Sequence, residues 1–509
     1  MGEFIAALDQ GTTSTRCVIF DSEAKPRAAA QVEHRQILPR PGWVEHDPLE
    51  IVRNTTLVVR RALAEAGLEA RDIKALGLTN QRETSVLWNP RTGEAWDNAI
   101  VWQDTRNVDL VQELGAQGEI AEKIRSRSGL PPSTYFSGGK LLWWFRHRPE
   151  LLEAAGRGKV RFGTVDTWVL WNLLGRPAEG GCFTDVTNAS RTMLMNLGTR
   201  EWDEDLLKIF RVPREILPEI RPSVHCYGEV AEGFGLTGVP VWGILGDQQA
   251  AMVGQVCFRP SETKCTYGTG NFVLLNTGND VRHSASGLLS TVCYQFRDEE
   301  AVYALEGSVA VTGSAVQWLR DQLGLIASAG EVEGLARTVE DNGGVYFVPA
   351  FSGLFAPYWR ADARGLIIGL TRHSHRGHLA RAVLEAICFQ TRDVVEAMEK
   401  DAGISLGLLK VDGGASANDT LMQLQADILG KPVVRPRYIE TTVLGAAFAA
   451  GLGAGLWESP EILREHWQGD RVWEPQWEEE RRETVYRDWH RAVERACGWL
   501  ESKSASTSG

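Results

Sequence analysis

The chain has 509 residues, 43% hydrophobic and 24% charged, a make-up that excludes a low-complexity or collagen-like protein and supplies a large core. Its net charge of −12 argues against a nucleic-acid or anionic-membrane surface, although local backbone amides can still bind phosphate. The eight cysteines are scattered, with no Cys-x-x-Cys and no zinc spacing, so they read as free, mostly buried thiols in a reducing cytoplasm.

At roughly 150 residues per domain, the length predicts about three domains or two large ones. Glu3 and Asp9 leave no basic and then apolar leader, so no signal peptide is expected. Phe4–Leu8 and Cys17–Phe20 flank a Gly/Thr/Ser turn and predict a β-hairpin. Asp47-Pro48-Leu49-Glu50 predicts a helix start, with Leu49, Val52, Val59 and Leu63 on its apolar face. Ala75–Thr79 reads as a strand ending at Asn80-Gln81-Arg82-Glu83, and Val239–Leu245 as one ending at Gly246-Asp247-Gln248. Lys264–Asn276 repeats the strand, Gly/Thr turn, strand plan of the first hairpin, which suggests two lobes on a duplicated scaffold. Leu408–Val411 predicts a strand leading to Asp412-Gly413-Gly414, then a helix with Leu421, Leu424, Gln425 and Ile428 on one side, ending near Gly430. The uncharged run Thr441–Trp457 is too short to span a membrane and reads as a packed internal helix, its Gly451-x-Gly453-x-Gly455 included. The alternation of strands and helices gives an α/β fold, divided here into 1–256 and 257–501, with a disordered tail at 502–509.

Three turns could carry chemistry. Thr12, Thr13 and Ser14 offer amides and hydroxyls in a concavity suited to phosphate, and Asp9 at the strand end could hold Mg²⁺; an ordinary surface hairpin fits the same residues. Asp412–Asn418 could let a ligand approach its paired glycines, or could be a tight turn capped by Ser416 or Asn418. Asp247 could accept a hydroxyl proton or cap a helix, and Arg82-Glu83 could fix two hydroxyls of a small polyol or form a surface ion pair. Trp102 and Phe272 are candidate apolar walls or plain core. The absence of a Gly-x-x-x-x-Gly-Lys-Ser/Thr loop disfavours a P-loop NTPase.

Taken jointly, Leu8–Arg16, Pro41–Pro48, Thr79–Thr84, Trp102–Arg106, Tyr135–Gly138, Phe162–Trp168, Thr187–Thr192, Gly246–Ala250, Tyr267–Gly270 and Val411–Ala415 resemble the FGGY carbohydrate kinases, in particular their glycerol-phosphorylating branch. The resemblance covers Ala7 to about Gly455. It implies a two-lobed ribonuclease-H-like ATPase fold, shared with actin, hexokinase and heat-shock chaperones, with the active site in the interlobe cleft. It implies that Thr12, Thr13, Ser14 and Arg16 contact ATP phosphates, and that Thr269, Gly313, Gln317, Gly414 and Asn418 line the nucleotide side. Arg82, Glu83, Tyr135 and Asp247 would bind glycerol beside Gln248, between Trp102 and Phe272; Asp247 would be the general base, and Asp9 with Asp247 would hold Mg²⁺. A cytoplasmic homodimer or homotetramer is implied, with no nucleic-acid partner and no membrane insertion. Another polyol or sugar is the alternative substrate; an actin- or chaperone-like ATPase has no need of the polyol set. Glu232–Gly238 lacks the Lys and Arg of the loop that binds an inhibitory sugar bisphosphate in some members, and His225 precedes the place of an activating phosphohistidine in others.

Overall fold

The computed structural model describes residues 3–177 and 180–500; the expected disordered tail lies outside them. In the first half, β1 (Phe4–Gln10), β2 (Ser14–Phe20), β3 (Pro26–Glu33), β4 (Ile73–Asn80), β5 (Val224–Glu229) and β6 (Pro240–Gly246) form one sheet in the order β5-β6-β4-β1-β2-β3. In the second half, β7 (Thr263–Tyr267), β8 (Asn271–Gly278), β9 (Leu289–Tyr294), β10 (Val302–Val309), β11 (Leu409–Asp412), β12 (Val433–Pro436) and β13 (Gly469–Trp473) form another, in the order β9-β10-β8-β7-β11-β12-β13. The pairing repeats. β1 is antiparallel to β2 and parallel to β4, as β7 is antiparallel to β8 and parallel to β11. Outward from there, β4–β6 and β11–β12 are parallel, while β6–β5 and β12–β13 are antiparallel. The echo between the two hairpins therefore reflects a duplicated sheet.

The helix starting at Asp47 is α1 (Pro48–Ala66), whose cap oxygen accepts from Leu49 N at 2.8 Å. Its buried face is Ile51, Thr55, Val58, Val59 and Ala62, with Leu63 at the edge; the expected Leu49 is 40% exposed, and Val52 is only half-buried. Glu50 accepts the Arg35 amide instead of closing a capping box.

β1 is buried on both faces. Ala6 and Leu8 pack toward α1, whereas Ile5 and Ala7 pack with α2 (Asp247–Gly254) and α3 (Thr441–Gly453). These two helices lie between the sheets in a core that also takes Leu274, Cys293 and Ala304 from the second sheet. They cross backbone to backbone: a Cβ on Gly445 would sit 1.8 Å from Ala250 O, and one on Gly254 2.0 Å from Thr441 O. That contact accounts for Gly445 in the Gly/Ala-rich run, while Gly451 and Gly453, in the same helix, make room for the rings of Trp457 and Trp242. Residues 85–220 add a third core around Phe136, Trp144 and Phe210, and three of their strands join Glu45–His46 in a small four-stranded sheet. Among the described residues, no helix is long and apolar enough to cross a membrane. Five cysteines (Cys17, Cys257, Cys265, Cys293 and Cys388) are buried, Cys226 is exposed, and all eight are free.

Candidate active site

The strand ends of the first sheet bring charged side chains together. Arg82 and Glu83 follow β4, and both are buried rather than forming a surface pair. They do not pair with each other. Arg82 donates from Nη1 to Glu306 Oε2 (2.6 Å) and Gln249 Oε1 (3.2 Å), and from Nη2 to Glu306 Oε1 (3.0 Å). Its Nε lies 3.0 Å from Asp247 Oδ1. Glu83 Oε1 accepts from Arg191 Nε at 2.7 Å, and Arg191 Nη2 reaches Glu306 Oε1 at 3.1 Å. Burial raises the Glu83 carboxyl against the pull of Arg191 and Arg82; burial acts on Glu306 too, but its two arginines outweigh it and hold the group at about 2. Glu83 also has a φ of +60°, a strained value for a side-chain-bearing residue, while Ser137 and Ser85 hydroxyls donate to its carbonyl.

These pairings leave definite positions open. Among the described residues, Asp247 Oδ2, Glu83 Oε2 and the Tyr135 hydroxyl have no hydrogen-bond partner, and donor counting leaves Arg82 one Nη2 hydrogen. Tyr135 feels the charges of Glu83, Arg82 and Arg191, and burial with the Glu83 charge pushes its phenol well above the ordinary range. Its ring meets Trp102 edge-on at 5.2 Å. Phe272, on β8, lies diagonal to Glu306, on the same face of the second sheet. Gln248 points its amide oxygen at buried Lys264 Nζ.

Four site-building residues carried no role in the sequence reading: Arg191, Glu306, Lys140 and Lys264. Glu306 and Lys264 are lone charges within short strands, which was their only local signal. Lys140, on α4 (Ser137–His147), donates to the Thr134 and Tyr135 carbonyls at 3.2 and 2.6 Å and so holds the loop carrying Tyr135; burial lowers its pKa to about 7.

The first hairpin lies beside this cluster. The Thr12 and Thr13 amides donate to nothing among the described residues, while the carbonyl of Thr12 takes His34 Nε2 (2.8 Å) and Gln36 Nε2 (3.0 Å). Thr12 Oγ1 accepts from Trp102 Nε1 at 2.9 Å, tying the hairpin to the aromatic wall. Gly11 is not in the left-handed region, and a Cβ there would meet Ser14 O at 3.3 Å, so the turn needs less from this glycine than the sequence suggested. Ser14 accepts from Gln31 (3.0 Å), and Arg16 is occupied by Gln31 and, at 2.5 Å, by Glu440. Burial pushes Asp9 up to about 7 despite Arg16, helped by the nearby carboxylates Asp247 and Glu440. Among the described residues no three His, Cys, Asp or Glu side chains form a metal cage.

The second sheet presents bare backbone. Thr269, Gly313, Gln317, Gly414 and Asn418 all line one cleft of about 410 Å³, with Val316, Leu384 and Ile387 as apolar lining. Gly413 has φ +82°, and a Cβ on it would lie 2.5 Å from Tyr267 O, so the turn after β11 requires glycine. Asn418 caps the next helix through Leu421 N (2.8 Å), while Ser416 bonds back to the Gly413 carbonyl. The residues expected at the phosphates thus lie on the first hairpin, while of those expected at the nucleotide Thr269 lies on the equivalent second hairpin and the others on the helix after β10 and the turn after β11.

The FGGY family of carbohydrate kinases matches this chain twice: its N-terminal domain over residues 4–254 and its C-terminal domain over 263–454. Glycerol kinase 1 of Streptomyces coelicolor is 58% identical, across 98% of this chain and 99% of the relative. The crystal structure of Plasmodium falciparum glycerol kinase with ADP superposes with a TM-score of 0.92 at 38% identity, covering 98% of this chain and 99% of that one. Lactobacillus acidophilus gluconate kinase shares the fold at a TM-score of 0.86 and 23% identity, with 97% of each chain covered. The chain belongs to the FGGY family of carbohydrate kinases.

Proposed function

We propose that this enzyme transfers the γ-phosphoryl group of ATP to a terminal hydroxyl of glycerol, giving sn-glycerol 3-phosphate and ADP, in the cytoplasm. The observation that carries the acceptor assignment is the set of unpaired polar positions beside Trp102: Asp247 Oδ2, Glu83 Oε2, the Tyr135 hydroxyl and one Arg82 hydrogen. Three adjacent hydroxyls satisfy such a set. The 58% identity to glycerol kinases supports the same substrate.

In this reading Asp247 Oδ2 takes the hydroxyl proton, while Oδ1 stays anchored by Arg82 and the Gln248 amide. The Thr12 and Thr13 amides and the Ser14 hydroxyl hold the transferred phosphoryl group, and the cleft at Thr269–Asn418 holds the nucleoside. Asp9 and Asp247 are hard oxygen donors close enough to raise the Asp9 pKa, and two carboxylates with phosphate oxygens and water suit Mg²⁺. Bound there, Mg²⁺ supplies charge neutralisation to the phosphates. The division into residues 1–256 and 257–501 puts the acceptor groups mainly in the first lobe and the nucleoside cleft in the second. We further assign a homodimer or homotetramer, checked by light scattering. The decisive assay is glycerol-dependent ADP formation with and without Mg²⁺, run beside xylulose, ribulose and gluconate. A higher kcat/KM on any of these sugars than on glycerol would overturn the substrate assignment.

A further inference from the structure

The acceptor groups belong to the first half of the chain, yet their geometry is fixed from the second. Glu306 stands on β10, and both its oxygens are engaged by arginines of the other lobe, Arg82 (2.6 and 3.0 Å) and Arg191 (3.1 Å). Arg191 carries the constraint to Glu83 at 2.7 Å, and Arg82 carries it to Asp247 at 3.0 Å. The result is one chain of alternating charge, Glu83–Arg191–Glu306–Arg82–Asp247, whose first four members are at most 3% exposed.

Resting on the acceptor reading above, we propose that Glu306 is the positioning residue of the acceptor site, which couples its assembly to the docking of the second lobe. Glu306 touches no substrate. By holding the Nη1–Nη2 edge of Arg82, Glu306 fixes the guanidinium so that it meets Asp247 through Nε at Oδ1 and keeps one Nη2 hydrogen free, and Asp247 Oδ2 stays open. By drawing Arg191 Nη2 to itself, Glu306 orients that guanidinium so that only Nε meets Glu83, at Oε1, with Nη1 unpaired and Glu83 Oε2 open. Without the Glu306 charge, each arginine turns its fork on its remaining carboxylate and closes both oxygens the acceptor needs. The nucleotide cleft is lined by none of these five residues, so nucleotide binding is expected to change far less than glycerol binding.

The test is Glu306→Gln, which keeps shape and removes charge, assayed beside the wild type with glycerol and MgATP each varied, and with 1,2-propanediol, which lacks one hydroxyl. We expect kcat/KM for glycerol to fall about 100-fold or more, through both a higher KM and a lower kcat. The KM for ATP should move less than about threefold, and the preference for glycerol over the diol should shrink about tenfold, because the groups that read the missing hydroxyl are closed. Arg191→Lys is the second variant, should Glu306→Gln not fold. It keeps the charge but removes the guanidinium that spans Glu83 and Glu306, leaving Arg82 on Glu306 and Asp247, and is expected to raise the glycerol KM more than it lowers kcat. A folded variant whose glycerol kinetics stay within about twofold, or whose glycerol, diol and ATP parameters all worsen alike, overturns the proposal. A wild type without glycerol-dependent ADP release overturns the acceptor reading instead.

Discussion

The two hairpins occupy equivalent places in equivalent sheets, yet they are built from opposite materials. The first, at Asp9–Arg16, carries a carboxylate, hydroxyls and a guanidinium, and is braced by side chains such as His34, Gln36 and Trp102. The second, at Tyr267–Asn271, is mostly backbone, with Gly413 packed on the Tyr267 carbonyl and the amides of Thr312 and Gly313 bonded to the Thr269 and Gly268 carbonyls at 3.0 and 3.1 Å. The strands beside them diverge likewise: β4 delivers Arg82 and Glu83, whereas β11 delivers paired glycines. A duplicated scaffold thus separates charge chemistry from shape recognition. Changes of charge should damage the first lobe's task, and changes of volume the second's.

The largest break expected is Asp247→Ala, which should lower kcat by about 10²–10⁴ while ADP still binds by calorimetry. Loss of nucleotide binding in that variant would dissolve the separation. Gly413→Ala should cost about 1–3 kcal/mol, read as a lower Tm and weaker nucleotide binding, since φ +82° and the Tyr267 carbonyl both oppose a Cβ. By contrast Gly11→Ala, in the first hairpin and with only a 3.3 Å contact to relieve, should stay within about 1 kcal/mol. Equal effects at the two glycines would contradict the comparison. Glu83→Ala should weaken glycerol recognition by about 1–3 kcal/mol, seen in KM for glycerol and not for ATP.

The smallest effect concerns pH. Burial brings the folded pKa of Lys140 down to about 7 from an ordinary 10.5, with Glu83 and Asp104 raising it and Arg106 lowering it further. Between these values the folded state binds fewer protons than the unfolded chain, so this group makes stability rise with pH from about 7 to about 10.5. Relative to Lys140→Met, the wild type should therefore gain unfolding free energy across that window in denaturant titrations. A difference that is flat or falling with pH would show that the lysine is not held uncharged in the fold.

Much of this architecture is legible in the sequence because its signals are local. Apolar runs around Gly/Thr turns mark both hairpins, Asp47-Pro48 marks a helix start, and the Gly/Ala run marks a close helix crossing. The strand-end residues stand out for the same reason. What stays hidden is pairing at long range. Arg82 meets Glu306 across 224 positions and Arg191 meets it across 115, and no periodicity reports such a partner. Hence Arg82-Glu83 looks like a surface pair, although each residue is committed elsewhere. Phe272 is similar: its place follows from the β8–β10 register, which depends on the whole sheet.

The crossing of α2 and α3 also governs the order in which the molecule can be made. One face of the first sheet, with Ile5, Ala7, Val18 and Leu245, is covered by residues 443–452. During synthesis from the N-terminus, that apolar face has only α2 to cover it until nearly nine-tenths of the chain has emerged, although its own strands end at Gly246. The first lobe is therefore finished by the second, and a chain stopped short of residue 441 ends as an aggregating fragment, not a half-enzyme.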